Sequence, residues 1–369
     1  MALTLHGTVS DNTAVLDRRS AKPLIINGDM AVAQRATSTT GITGGGYYTI
    51  DRMKVDLSDN GTWTHTQDTD VPTGQGFANS WKLDCTTADT SVASGTFHLT
   101  RYLFEGQDLQ LLKKGTSSAE KVTVSFWIKA TVTGTYIAEL FDVDNSRQIS
   151  QAYTVSSANT WEKKVLSFVA DTTGALGNDN ASSFAVNLWL GAGSDFSSGT
   201  LSTTWTSSTN ANRAVGQVNS ASSTDNNVYL TGLQMEVGEF DANSIAPFQH
   251  ESFECNLYRC MRYYRQSYSI GTKAGTASTQ AGATMVYIPA TGNTFRYTVN
   301  HYGMRATPTF AEYNPETGSS GLGGYEGSGD TNAEGISTTF ANEHSTLLFN
   351  TGMGFTGSFY WQYTLSAEL

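Results

Sequence analysis

Three cysteines in 369 residues, Cys85, Cys255 and Cys260, are too few and too odd in number for a disulfide framework. The last two stand five apart in a helical pattern and so point to different faces. All three are expected as buried free thiols of a chain made in a reducing compartment. Charge is also scarce: Asp, Glu, Lys and Arg make up 15 %, with 22 basic residues against 33 acidic ones. The resulting net charge of −11 excludes the basic stripe that a phosphate backbone requires, so no nucleic-acid partner is expected. No apolar run approaches the roughly 18 residues of a membrane-spanning helix. Residues 1–11 lack the basic start and apolar core of a secretory leader.

Signatures of catalysis are missing as well. The six histidines, His6, His65, His98, His250, His301 and His344, form no close pair, and no His-Glu-x-x-His or Cys-x-x-Cys occurs. Gly44–Gly46 are followed by Tyr47 rather than by the Lys-Ser/Thr of a P-loop. No helical pattern follows them either, as a dinucleotide fold would need. Their expected role is a turn feeding a strand, YYTIDRM. No Gly-x-Ser-x-Gly is present, so a serine-hydrolase elbow is absent. A glycosidase needs only two facing carboxylates, which 33 acids leave open, but no solenoid repeat is visible. The expectation is a protein with no cofactor and no enzymatic activity.

What is abundant is Gly (36), Tyr (17) and Phe (17), together with Ser, Thr and Asn. β-Branched and aromatic side chains fit a pleated surface. Short alternating runs recur between Gly/Asn/Asp/Ser clusters. Val122, Val124, Phe126 and Ile128 share one face, as do Phe184, Val186, Leu188 and Leu190. Val228, Leu230, Leu233, Met235 and Val237 follow with a bulge expected near Gly232. Phe359, Trp361, Tyr363 and Leu365 alternate at the other end. The fold class is all-β: a jelly-roll β-sandwich over 23–248, a short linking helix over 249–266 and a small C-terminal β-sandwich domain over 267–369. Residues 1–22 are polar and mixed and read as an arm.

Candidate functional residues fall in four groups. Trp205, set in the polar run STTWTSS, and Trp63 are, with Tyr325 in the Gly/Ser-rich loop 317–330, candidates to stack on sugar rings; the alternative for each tryptophan is core packing. Asp142, Asp144 and Asn145 in FDVDNSRQ resemble half of a calcium loop but lack its Gly and distal Glu; the alternative is a polar hairpin turn. Arg259, Arg262 and Arg265 repeat every third residue along the linking helix, where Phe253, Leu257, Met261 and Tyr264 form its apolar face. They are either ion-pair partners or a contact for an anion, another copy or a partner. The loop 317–330 itself is either an adaptable exposed tip or a connector.

Three stretches resemble the tail-fibre and related virion proteins of tailed bacteriophages. NGDMAVAQR followed by YYTIDRM (27–53) resembles the opening signature of that family. LQMEVGEF through APFQHESFECNLYRCMRYYRQSY (233–268) resembles its central junction, with His250-Glu251-Ser252 where a basic residue usually precedes the serine. HYGMRATPTFAEYNPETG (301–318) with the ending YTLSAEL (363–369) resembles its C-terminal module. The resemblance implies a carbohydrate-binding-module-like jelly roll, a homotrimer, and residence in the virion after release by lysis. It implies attachment to other virion proteins through residues 1–22 and binding of a host cell-surface glycan or protein receptor. The alternative roles are a capsid decoration or head-fibre protein and a polysaccharide depolymerase. It assigns no catalytic residues.

Overall fold

The computed structural model describes residues 23–278, 281–325, 336–350 and 353–369, without the side chains of 325 and 337–339. The expected arm 1–22 lies outside the described residues, as does 326–330 of the loop 317–330. The rest of that loop carries a short strand paired into a sheet.

The first eleven strands are β1 (Ser38–Gly46), β2 (Lys54–Asp68), β3 (Ser80–Thr87), β4 (Phe97–Glu105), β5 (Val122–Ala130), β6 (Gly134–Asp142), β7 (Arg147–Val155), β8 (Glu162–Phe168), β9 (Ser182–Ala192), β10 (Thr206–Ser207) and β11 (Asn227–Val237). They form one antiparallel path, β10-β7-β6-β9-β4-β2-β3-β11-β5-β8, with β1 beside β2. β2 folds this path into two layers. Its first part, Lys54–Ser58, pairs with β4 and its last, Thr62–Asp68, with β3. Between them Asp59 and Gly61 take φ values of 55° and 77°, which breaks the strand line at the corner. The two inner faces meet in one core that contains Phe126 and Ile128 of β5 and Phe184 and Leu188 of β9. The alternation read from the sequence is therefore what fills the sandwich, and the expected bulge in β11 is present between Thr231 and Gln234.

The C-terminal domain carries β12 (Tyr264–Gln266), β13 (Thr284–Ile288), β14 (Phe295–Asn300), β15 (Thr309–Tyr313), β16 (Gly324–Tyr325), β17 (Ser337–Ala341), β18 (Ser345–Asn350) and β19 (Gly357–Ser366). β19 pairs with β12, β13, β15 and β16, and a second sheet runs β14-β18-β17. Phe359, Trp361 and Leu365 are fully buried beside Phe295, as the terminal alternation required. No helix among the described residues is long and apolar enough to cross a membrane.

Two local expectations are corrected. The linking helix spans only Phe253–Cys260, capped by the Ser252 hydroxyl accepting from the Cys255 amide at 3.3 Å. It buries Asn256 and Cys260, leaves Phe253 49 % exposed and leaves Cys255 exposed as a free thiol. It ends early because the next residues have other partners: Arg262 and Tyr263 bind Glu105, and Tyr264 enters a ladder opposite Ser366. YYTIDRM is likewise not a strand. β1 ends at Gly46, and Thr49–Met53 turn, the Met53 amide bonding the Ile50 carbonyl at 3.2 Å.

That turn drives Asp51 and Arg52 into the seam between the two domains. Arg52 takes a φ of 70°, unusual for a non-glycine residue. Its guanidinium reaches Glu368 at 2.5 Å and the Leu103 carbonyl at 2.6 Å, and lies 3.5 Å from the centre of the Tyr263 ring. Arg35 reaches the same carboxylate at 2.9 Å and Asp51 at 3.6 Å. Burial pushes the Asp51 carboxyl up to about 6 although Arg35 and Gln34 pull the other way. Arg305 donates to the Ala367 carbonyl at 2.7 Å. The three stretches that carry the family resemblance thus meet in one buried polar seam.

Candidate glycan-binding face

Alternation that turns Val122, Val124, Phe126 and Ile128 into the core turns Thr123, Ser125, Trp127 and Lys129 to the opposite face of β5, where Trp127 and Lys129 are half-buried and Thr123 and Ser125 are covered. The same holds for Tyr229 between Val228 and Leu230, and for Lys82 between Trp81 and Leu83. Strand register then sets these side chains side by side. Tyr229 stands opposite Lys82 on one side and Lys129 on the other; Trp127 stands opposite Lys163. Trp161, just before β8, completes the row.

The contacts form one cluster. The Trp161 and Tyr229 rings are 6.2 Å apart in an edge-to-face arrangement. The Trp161 indole donates to Asp70 at 2.9 Å, and the Lys129 ammonium pairs with the other oxygen of Asp70. Lys129 also lies 4.3 Å from the Tyr229 ring centre. Burial raises the Asp70 carboxyl, but the hydrogen bonds from Lys129 and Trp161 outweigh it and hold the group below the usual carboxylate range. Burial and the nearby Asp68, Asp70 and Asp84 push the Tyr229 hydroxyl up to about 12. Trp127, Trp161 and Tyr229 are all half-buried, so each keeps part of its ring toward solvent.

A groove of about 520 Å³ continues this face past Trp127, Lys163, Gln234, Phe77, Phe248 and His250. The bulge in β11 shapes it. Gly232 has a φ of 63°, and a Cβ there would lie 2.6 Å from Phe77 and 3.1 Å from Trp127, so only glycine allows the two rings to close on the strand. Partly exposed ring faces with fixed donors and acceptors beside them suit a sugar, which offers an apolar C–H face and a rim of hydroxyls.

The residues singled out from the sequence lie elsewhere. Trp63 is fully buried, its indole donating to the Asn60 carbonyl at 2.7 Å and its ring 4.6 Å from His98, so it is core and cannot meet a sugar. Trp205 is half-buried, donates to the Val169 carbonyl at 2.8 Å, and has the Lys114 ammonium 5.1 Å from its ring centre. Tyr325 sits in β16 opposite Phe359, and its side chain is outside the described groups. These three are not brought together.

Asp142 is fully buried and takes the Lys114 ammonium and the Asn145 amide; Asp144 accepts from the Gly177 amide at 2.8 Å. Lys114 also reaches Asp171 at 2.9 Å and the carbonyls of Thr173 and Gly174. A lysine ammonium therefore stands where the sequence suggested a calcium ion. No group of three or more His, Cys, Asp or Glu among the described residues is placed to hold a metal.

The arginines take up intramolecular bonds. Arg259 pairs with Glu251 and donates to the Pro23 carbonyl at 2.6 Å; Arg262 grips Glu105 with two bonds of 2.8 and 2.7 Å. Arg265 donates to the carbonyls of Met261 and Tyr302 at 2.9 and 2.8 Å. Of the two readings for this ladder, ion-pair partnership is what Arg259 and Arg262 do.

No protein-family model matches the chain, and no curated protein does. Solved structures overlap it at low similarity. One is the enzymatically active domain of tailspike protein 4 of bacteriophage CBA120, at 13 % identity and a TM-score of 0.31, over 58 % of this chain and 21 % of that one. Another is the family 11 carbohydrate-binding module of a cellulosomal cellulase of Clostridium thermocellum, at 11 % identity and a TM-score of 0.25, over 54 % of this chain and 98 % of that one. A family 30 carbohydrate-binding module overlaps at 12 % identity and a TM-score of 0.27, over 59 % of this chain and 92 % of that one. Function is therefore argued from the residues of this chain.

Proposed function

We propose that this chain is a bacteriophage tail-fibre-type virion protein that holds a host-surface saccharide on the outer face of the β3-β11-β5-β8 layer, without cleaving it. The observation that carries the binding reading is the row of Trp127, Trp161 and Tyr229, half-buried and set around the Lys129–Asp70 pair. Support for the virion assignment is the motif resemblance, whose three stretches meet in the Arg35–Asp51–Arg52–Glu368 seam. Residues 1–22 attach the protein to other virion components. The homotrimer is supported by apolar side chains left open on the C-terminal domain, Met285 and Tyr287 of β13 among them, at 62 % and 63 % exposure. Weak single-site binding is raised by copy number in such an assembly.

The test combines localisation with binding. Gold-labelled antibody should mark a few copies at the tail; many copies over the head would replace this reading with a capsid decoration protein. On an array of host-surface saccharides, Trp161→Ala should lower binding by about tenfold or more, the scale of one lost aromatic contact. Equal binding by wild type and variant removes the outer face as the site. A rise in reducing sugar ends on incubation with host polysaccharide would make the chain a depolymerase.

A further inference from the structure

The glycine run Gly44–Gly46 has a second consequence. β1 pairs with β2 on one side only. Near its other side lies a cleft of about 560 Å³ between the jelly roll and the C-terminal domain. Gly45 is constrained by packing, since a Cβ there would come within 3.2 Å of the Val55 carbonyl oxygen. Gly44 is not: a Cβ would meet nothing within 4 Å, and its backbone is outside the left-handed region. Neither packing nor conformation requires glycine at 44, and its absence of a side chain leaves the wall of the cleft bare for close approach to the backbone.

The remaining lining has a distinct chemistry. Arg35 and Lys273 line the cleft and no carboxylate does, in a chain whose acids outnumber its bases by 33 to 22. The charge of Arg35 is already taken by Glu368 and Asp51. Lys273 is exposed, and its ammonium has no partner among the described residues. Tyr47 and Tyr264 bring rings from the first domain and the seam, and Tyr313 brings one from β15. Thr40 and Thr43 are exposed at the rim, and their hydroxyls have no partner among the described residues. An added peptide strand does not suit this edge, because the β1–β2 register breaks three times between Thr39 and Gly46, which disrupts a regular template.

We propose that this cleft binds an acidic sugar residue, with its carboxylate at Lys273, its ring against the tyrosines, and its hydroxyls at Thr40, Thr43 and the Gly44 backbone. The site is separate from the outer face and does not depend on it. Ligand sites favour such seams between domains, where both contribute walls.

The test is a titration of the full chain with uronate- and sialate-terminated oligosaccharides and with their carboxyl-reduced neutral counterparts. At least one acidic member should bind, and its reduced counterpart should bind about tenfold more weakly or worse, the scale of a lost charge-assisted contact. Gly44→Val, which fills open space on a strand, should weaken binding by a similar factor at an unchanged melting temperature. Lys273→Ala should do the same, and Lys273→Arg should restore most of it. Trp161→Ala should leave this titration unchanged, which separates it from the outer-face test. No binding by any acidic member, equal binding of the reduced forms, or survival of binding in both Gly44→Val and Lys273→Ala overturns the proposal.

Discussion

Among the described residues, the large apolar side chains left exposed in the jelly roll are Leu111, Val143 and Val169. In the C-terminal domain, which is less than half as long, they are Ile270, Met285, Tyr287, Tyr297, Tyr302 and Phe340. The two regions also hide different ionisable groups. The jelly roll buries His65 and His98, whose ring nitrogens have no hydrogen-bond partner. The C-terminal domain buries Glu312, with one carboxylate oxygen bonded to the Ile336 amide and the other unpartnered. The first region is closed on itself and resists gaining positive charge. The second leaves apolar surface open, and its buried Glu312 resists gaining negative charge.

The sharpest way to break this contrast is in the cores. Trp361→Ala removes a fully buried ring from the smaller core and should cost about 4 kcal/mol, on the scale of aromatic truncations. Hydrogen exchange should then rise over 267–369 and stay low in the jelly roll; an equal rise in both would mean the two regions fold as one unit. Next is the seam. Arg52→Ala leaves Glu368 buried without its closest cation and should cost about 3 kcal/mol. A single melting transition should separate into two, and a single shifted transition would show that the two regions stay coupled without Arg52.

The contributions of these groups to the pH response should have opposite signs, with Asp51 in the jelly roll and His301 in the C-terminal domain each opposing the trend of its own region. Burial lowers His65 to about 3 and His98 well below its usual value. An unfolded histidine takes up a proton near 6.5, so the jelly roll should lose up to about 1.4 kcal/mol per pH unit per histidine as pH falls below 6.5. Burial raises Glu312 to about 7 against 4.5 unfolded, so the C-terminal domain should lose stability as pH rises from 4.5 to 7 and then level off. Glu312→Gln should flatten that second slope. Trp361 is the one tryptophan beyond residue 266, so its fluorescence follows the smaller domain by itself. The smallest effect is on the exposed face. Tyr287→Asp should shift monomer stability by no more than about 0.5 kcal/mol while lowering the sedimenting mass of the proposed homotrimer.

Legibility in the sequence followed the range of the interaction. Alternation is local, and it placed the inward residues of β5, β9, β11 and β19 and the bulge near Gly232. The same alternation assigned Trp127 and Tyr229 outward, so two members of the candidate face were readable once the inward set was fixed. Trp161 had no such signal, because its partner Asp70 lies in a loop far off in sequence. For Trp63 the alternative of core packing is what the structure places: it lies on the inward face of β2 between Thr62 and Thr64, and composition does not tell which face a strand residue takes. The seam was invisible for a different reason. Arg52 and Glu368 are brought together by the packing of two domains, and no local pattern encodes a pair at that separation. The helix was overextended because its apolar spacing continued into Met261 and Tyr264, whereas ladder pairing with β19 set the boundary.

The central position of β19 has a consequence in time. Tyr264 of β12 pairs with Ser366 of β19, and β13, β15 and β16 also pair with β19. At roughly 5–20 residues per second, a ribosome finishes β12 on the order of 5–20 s before it finishes the strand β12 needs. During that interval the earlier strands have open edges and an unfilled core. The C-terminal sheet therefore closes last during synthesis, after the jelly roll is complete in sequence.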